Sequence, residues 1–196
     1  MYKVMTLKEI YCSNKKKKEK VVENLNIHLN SEEIVEIYGG INSGKTVLLE
    51  IMHGIVKPDR GVIDKNCKTA MVFKDIIIYQ DMSVEENFEF FGEISLSDVK
   101  KREMLIETLG LGKFRKRRVG TLPEGLKRVT QIGCAIQGEF NLVLMDEPLL
   151  ALDNCYQKIV EDKMKELKKT GKTVVYTTGN SNLTSYYDRK ISLNKR

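Results

Sequence analysis

Short apolar runs and alternating stretches mark strands along this chain, and longer stretches with a 3.6-residue period mark helices. Val21 to Leu29 alternates around Leu25, Ile27 and Leu29, the pattern of a half-buried strand with His28 on its outer face. Ile34-Val35-Glu36-Ile37-Tyr38 is an apolar run, separated by a glycine-rich turn from the helix-like stretch Val47-Leu48-Leu49-Glu50-Ile51-Met52. Lys57-Pro58-Asp59-Arg60-Gly61 reads as a turn, with Val62 and Ile63 opening a strand, and Ala70-Met71-Val72-Phe73 reads as a buried strand. From Ser83 to about Leu111 the pattern is helical, with Ser83-x-x-Glu86 fitting a capping box. A further helix is predicted from about Leu122 to Ile136, then a fully apolar strand from Leu142 to Met145. Tyr156 to Lys169 reads as a helix with Tyr156, Ile159, Val160, Met164 and Leu167 on one face. Thr173 to Thr178 is a β-branched strand, and Lys190 to Leu193 a last one. Strands alternate with helices after the first glycine-rich turn, which predicts an α/β fold with a mostly parallel sheet and helices on its faces.

The turn carries the first chemistry. Gly39-Gly40-Ile41-Asn42-Ser43-Gly44-Lys45-Thr46 matches the phosphate-binding pattern G-x-x-x-x-G-K-[ST] in full, between a strand and a helix start, the context the pattern requires. Such a turn points backbone N–H groups at an anion, and the helix N-terminus adds partial positive charge. Lys45 is expected to reach the β- and γ-phosphates of ATP, and the Thr46 hydroxyl to ligate Mg²⁺. A plain glycine turn with a chance lysine is the alternative reading.

Leu142-Val143-Leu144-Met145-Asp146-Glu147 is the second signal. An apolar strand ending in two carboxylates places acid at the carboxyl edge of a sheet, beside the phosphate loop. In P-loop NTPases that acid holds Mg²⁺. Asp146 is expected in that role, with Glu147 orienting and polarising the attacking water. Lys45 and Glu147 are thus the catalytic candidates, and Thr46 and Asp146 the metal candidates.

Bulk properties narrow the setting. A chain of 196 residues fits one domain with a real core. It opens without a secretory apolar segment, and its longest apolar runs are too short to span a bilayer. A cytoplasmic protein is expected, reaching a membrane only through a partner. The four cysteines, Cys12, Cys67, Cys134 and Cys155, form no C-x-x-C pair, so reduced buried thiols are expected. The net charge of +6 concentrates at Lys15-Lys16-Lys17-Lys18 and Arg115-Lys116-Arg117-Arg118. Each reads most simply as a solvated loop. No aromatic residues interleave with either run, so nucleic acid is not an expected partner.

The sequence resembles the ATP-binding cassette family, the nucleotide-binding subunits of ABC transporters. Beyond the phosphate loop, Asp146-Glu147-Pro148 continues into Leu149-Leu150-Ala151-Leu152-Asp153, similar to the family's D-loop. Lys57-Pro58-Asp59-Arg60-Gly61 is similar to its K-P-x-x-G turn, and Asp81-Met82-Ser83-Val84-Glu85-Glu86-Asn87 to the segment that opens its helical subdomain. Leu122-Pro123-Glu124-Gly125 lies where the family carries its L-S-G-G-Q signature. The resemblance covers essentially the whole chain. It implies a single cassette over residues 1–196: a P-loop NTPase core, a small antiparallel β subdomain, and an inserted α-helical subdomain at roughly 75–128. It also implies ATP and Mg²⁺ as ligands, with contacts from Gly39, Gly40, Ile41, Asn42, Ser43, Gly44, Lys45, Thr46, Val47 and Lys74. Tyr11 sits where the family stacks an aromatic ring on adenine, a position a plain core tyrosine fits equally well. The implied partners are an integral membrane transporter subunit, on the inner face of the cell membrane, and a second cassette in a homo- or heterodimer.

Five motifs depart from that pattern. Lys74 replaces the glutamine that coordinates Mg²⁺; an ammonium has donors only, so it cannot ligate a cation but could meet a γ-phosphate. Gly179 replaces the switch histidine, with Asn180 adjacent. Pro123, Glu124 and Leu126 alter the signature, and Thr121-x-x-Glu124 fits a self-capped helix start. Leu150 replaces the D-loop serine, and Val47 the second hydroxyl of the loop. Losing one charge-stabilising donor costs about 10² to 10³ in rate, so slow hydrolysis with intact ATP binding is expected. The principal expectation is an energy-coupling ATPase subunit. The alternatives are a non-catalytic cassette, as the weak half of a heterodimer or a regulator, and a different P-loop enzyme such as a small-molecule kinase. The chain ends soon after Gly179, which suggests a minimal cassette without a C-terminal regulatory domain.

Overall fold

A computed structural model describes residues 2–14, 19–179 and 186–193. The lysine run at 15–18 and Asn180 lie outside the described residues. Two sheets are present. Strands β1 (Lys3–Asn14), β2 (Glu19–Asn30) and β4 (Arg60–Lys65) form an antiparallel sheet in the order β2-β1-β4. Strands β3 (Ile34–Tyr38), β5 (Thr69–Val72), β6 (Leu142–Met145), β7 (Thr173–Thr178) and β8 (Arg189–Ser192) form a sheet in the order β5-β6-β7-β3-β8, parallel throughout.

The continuous apolar runs of β3, β6 and β7 follow from burial on both faces. Side chains alternate across a strand. Val35, Ile37, Leu142, Leu144 and Val175 pack with the antiparallel sheet and helix α1 (Lys45–His53). Ile34, Val143, Met145, Val174 and Tyr176 face the opposite cluster, built with helices α2 (Val84–Ile94), α3 (Val99–Thr108), α4 (Glu124–Ile136) and α5 (Asn154–Lys169).

Strand β1 was not evident from periodicity. Its alternation breaks at bulges between Lys3 and Met5, Leu7 and Ile10, and Ile10 and Cys12, and Glu9 takes φ 51. The helical stretch expected from Ser83 to Leu111 is two helices. Helix α2 ends at Ile94 with Ser95 as its C-cap, Leu96 turns at φ 53, and Asp98 caps α3 through the Lys100 N–H at 3.1 Å. The capping box at Ser83 forms: Glu86 N–H donates to Ser83 Oγ at 3.2 Å, and Ser83 N–H to Glu86 Oε2 at 2.7 Å. The basic run at 115–118 is solvated only in part. Arg115 donates from Nε to Glu85 Oε1 at 3.0 Å and also pairs with Glu103, whereas residues 116–118 are exposed. None of the four cysteines is in a disulfide, but only Cys12 and Cys134 are buried; Cys155 is exposed.

Candidate active site at the carboxyl edge of the parallel sheet

Four neighbouring strands, β5, β6, β7 and β3, end at one edge of the parallel sheet, and each end carries a polar group. Residues 39–46 follow β3. Gly44 takes φ 92, and a Cβ there would meet the Val21 carbonyl oxygen at 2.7 Å, so this position is open to glycine alone. The turn delivers the chain into α1, whose first N–H groups take no side-chain cap. They remain available to an anion. Ser43 Oγ is buried without a hydrogen-bond partner among the described residues, an orphan polar atom inside the turn. Lys45 is buried, and its Nζ donates to the carbonyls of Gly39 at 2.6 Å and Gly40 at 2.9 Å. Gly40, Ile41 and Asn42 form the exposed tip, and Val47 packs half-buried beneath it.

The second half of the site comes from far along the chain. Asp146 is fully buried; its Oδ2 accepts from Thr46 Oγ1 at 2.6 Å and its Oδ1 from Thr177 Oγ1 at 2.5 Å. Thr177 Oγ1 also accepts from the Glu147 N–H at 2.9 Å. That bond steadies Glu147 at φ 46, a left-handed conformation costly for a residue with a Cβ. Glu147 Oε1 lies 3.8 Å from Lys45 Nζ, and Oε2 lies 3.3 Å from Lys74 Nζ. A cavity of about 300 Å³, lined in part by Glu147, Leu150, Thr177 and Gly179, opens beside the carboxylate.

Behind the site, buried Arg128 of α4 donates to the carbonyls of Phe73, at 2.7 Å, and Lys74. Gln131 Nε2 donates to Phe73 O at 3.2 Å and Asp75 O at 2.9 Å. Burial pushes the Arg128 guanidinium below its ordinary pKa, while Glu124, Asp146, Asp75 and Glu147 oppose that shift. On α1, burial and the Asp146 charge push the Glu50 carboxyl up.

Residues 22–150 match the family model described as ABC transporter. The chain belongs to this family. Among curated relatives, a linearmycin resistance ATP-binding protein of Bacillus subtilis is 28% identical over 82% of this chain and 57% of its own length. A taurine import ATP-binding protein of a Jannaschia species is also 28% identical, over 80% of this chain and 63% of its own. The chain therefore spans about three fifths of these two relatives. A solved dimeric bacterial ABC transporter cassette superposes with a TM-score of 0.88 over 97% of this chain and 94% of its own, at 23% identity, and shows the same fold.

Most of the residues expected from the ABC family pattern lie together at this sheet edge. Lys45, Thr46, Lys74, Asp146 and Glu147 converge. Tyr11 stands half-buried on β1, beside Cys12, which pairs with Val22; the carbonyl of Val21, which precedes Val22 in β2, lies where a Cβ at Gly44 would stand. Gly179 leaves space next to Glu147, since a Cβ there would stand 3.8 Å from Oε1.

The self-capped signature helix does not form. Thr121 lies in a 3-10 turn, Val119–Thr121, and its Oγ1 donates to Arg118 O at 2.8 Å. Helix α4 begins at Glu124 with Pro123 as an N-cap that offers no side-chain bond, and Glu124 pairs with Lys127 at 3.5 Å. The box fails because the chain stays extended through Leu122 and Pro123, so the helix starts too late for Thr121 to cap it. The α4 N-terminus keeps its free N–H groups. Sequence reasoning did not single out Thr177, Arg128 and Gln131; a threonine in a β-branched strand and polar residues within a helix carry no local signal of their contacts.

Proposed function

We propose that this chain is the ATP-binding subunit of an ABC transporter, hydrolysing ATP slowly to drive a separate membrane subunit. One observation carries the reading: Lys45 and Thr46 meet Asp146 and Glu147 at a single sheet edge, with Thr46 Oγ1 and Asp146 Oδ2 2.6 Å apart. In this reading the phosphates of ATP lie on the loop, where Ser43 Oγ and the uncapped N–H groups of α1 await an acceptor and the Lys45 ammonium stands beside them. Mg²⁺ suits a donor set of one hydroxyl, one carboxylate and substrate phosphates, and no cluster of three metal-ligating acidic, histidine or cysteine side chains occurs among the described residues. Thr46 and Asp146 would hold the ion, which supplies charge neutralisation on the transferring phosphoryl group. Thr177 fixes the Asp146 carboxylate. Glu147, at the mouth of the cavity, takes the hydrogen bond of the attacking water and aligns it.

Tyr11, half-buried on a neighbouring strand, is assigned to the adenine ring. A second cassette is the proposed dimer partner, consistent with the free N-terminus of α4 and with exposed Ile41 and Leu150 near the loop and the cavity. The membrane subunit places the protein on the cytoplasmic face of the membrane. None of the described helices is long and apolar enough to cross a membrane. Residues at about 75–128, which carry α2, α3 and the start of α4, are assigned to the helical subdomain within one cassette of residues 1–196.

The test is Glu147→Gln in the assembled complex. ATP turnover and transport should both collapse while ATP binding persists. Unchanged turnover and transport would remove this reading.

A further inference from the structure

The Glu147 carboxylate sits between two ammonium groups. Lys45 approaches Oε1 at 3.8 Å from the phosphate-loop side, and Lys74 approaches Oε2 at 3.3 Å from the end of β5. Strands β5 and β6 are parallel with Val72 opposite Met145, and Lys74 and Glu147 each stand two residues beyond the end of that pairing. The paired strands bring the two side chains to the same sheet edge. The Lys74 side chain is 47% exposed, whereas that of Glu147 is 17% exposed. The Lys74 backbone is held in place: Arg128 and Gln131 hold the carbonyls of Phe73, Lys74 and Asp75. Any movement of the Lys74 charge comes from its four-carbon stem swinging from a fixed base.

We infer that Lys74 is a γ-phosphate contact that doubles as a latch: it pairs with Glu147 when no nucleotide is bound and transfers to the γ-phosphate when ATP enters. This inference rests on the nucleotide site proposed above. Two cations that now share one two-oxygen anion will share a more highly charged one that arrives between them. The transfer leaves Glu147 free to accept a hydrogen bond from water. ADP has no group at that place, so with ADP the latch stays closed. Lys74 thereby discriminates ATP from ADP, a role no glutamine could fill by charge. Arg128 is a positioning residue for it.

The experiment is equilibrium binding of ADP and of a non-hydrolysable ATP analogue to the full chain, with magnesium, for the wild type, Lys74→Ala, Lys74→Arg and Lys45→Ala. Lys74→Ala should weaken the ATP analogue about 10- to 100-fold, the range of one hydrogen bond between charged partners, and change ADP by no more than about twofold. Lys74→Arg should restore the preference. Glu147→Gln should tighten the analogue more in the presence of Lys74 than in its absence, because one of the two ion pairs it breaks exists only with Lys74. Equal losses for both nucleotides, or no loss, with Lys45→Ala still abolishing binding, overturn the latch and leave the site standing. Full affinity in Lys45→Ala overturns both.

Discussion

Thr177 Oγ1 stands 2.5 Å from Asp146 Oδ1 and 2.9 Å from the Glu147 amide nitrogen, so one hydroxyl fixes both acids of the site. It donates to the carboxylate and accepts from the amide. Thr177→Val keeps the β-branched shape and removes both bonds, leaving a buried carboxylate oxygen and an N–H unpaired. The expected cost in stability is about 1–3 kcal/mol, seen as a lower unfolding midpoint in urea. ATP turnover should fall about tenfold or more, because Asp146 and Glu147 lose their shared anchor. Thr177→Ser should recover most of the turnover. Turnover that survives Thr177→Val unchanged would show that the hydroxyl serves folding alone.

The two capping boxes read from the sequence separate cleanly under the same measurement. Ser83 caps α2, while Thr121 caps nothing. Ser83→Ala should destabilise the protein by about 1 kcal/mol. Thr121→Ala, which removes one exposed hydroxyl, should change stability by less than about 0.5 kcal/mol. Comparable losses for the two variants would place Thr121 in a cap after all.

These cases show what was legible in the sequence and what was not. The phosphate loop and the Asp146-Glu147 pair were readable because each is a contiguous pattern on the end of a strand. So were β3, β6 and β7, whose burial on both faces leaves unbroken apolar runs. The fold's parallel core followed from their alternation with helices. What stayed hidden depends on groups distant in sequence. Lys74 meets Glu147, Arg128 meets Phe73, and Thr177 meets Asp146 only after the strands are laid side by side. The cap at Thr121 failed for a different reason: local spacing permits it, but the backbone through Leu122 and Pro123 remains extended. In β1, bulges removed the alternation that would have announced the strand.

Gly179 stands where the family pattern carries a histidine, and the structure has room for one. A Cβ at this position would lie 3.8 Å from Glu147 Oε1, in ordinary contact, and the backbone there is not in the left-handed region. Gly179→His places an imidazole beside the carboxylate and the cavity. Since one well-aimed donor is worth about 10² to 10³ in rate, recovery of even part of it should raise ATP turnover about tenfold. The rise should depend on Glu147, so that Gly179→His combined with Glu147→Gln stays slow. Turnover that does not rise, with ATP affinity intact, would mean that the histidine position does not limit this protein.

A last prediction concerns acid stability and a histidine away from the chemistry. His53 ends α1; its Nδ1 lies 3.0 Å from Thr69 Oγ1, and Lys65 Nζ donates to the His53 carbonyl at 2.7 Å. Burial first, and the Lys65 charge second, hold the ring below its ordinary pKa of 6.5. The folded protein therefore binds a proton at His53 less readily than the unfolded chain. As pH falls through about 6.5 the unfolded chain takes up the proton first, and stability declines until the folded ring titrates as well. His53→Gln keeps a hydrogen-bonding group near Thr69 and removes the titration. Between pH 7.5 and pH 5.5 the wild type should lose more thermal stability than this variant, measured as the difference in Tm at the two pH values. Equal losses would assign the acid sensitivity to other groups.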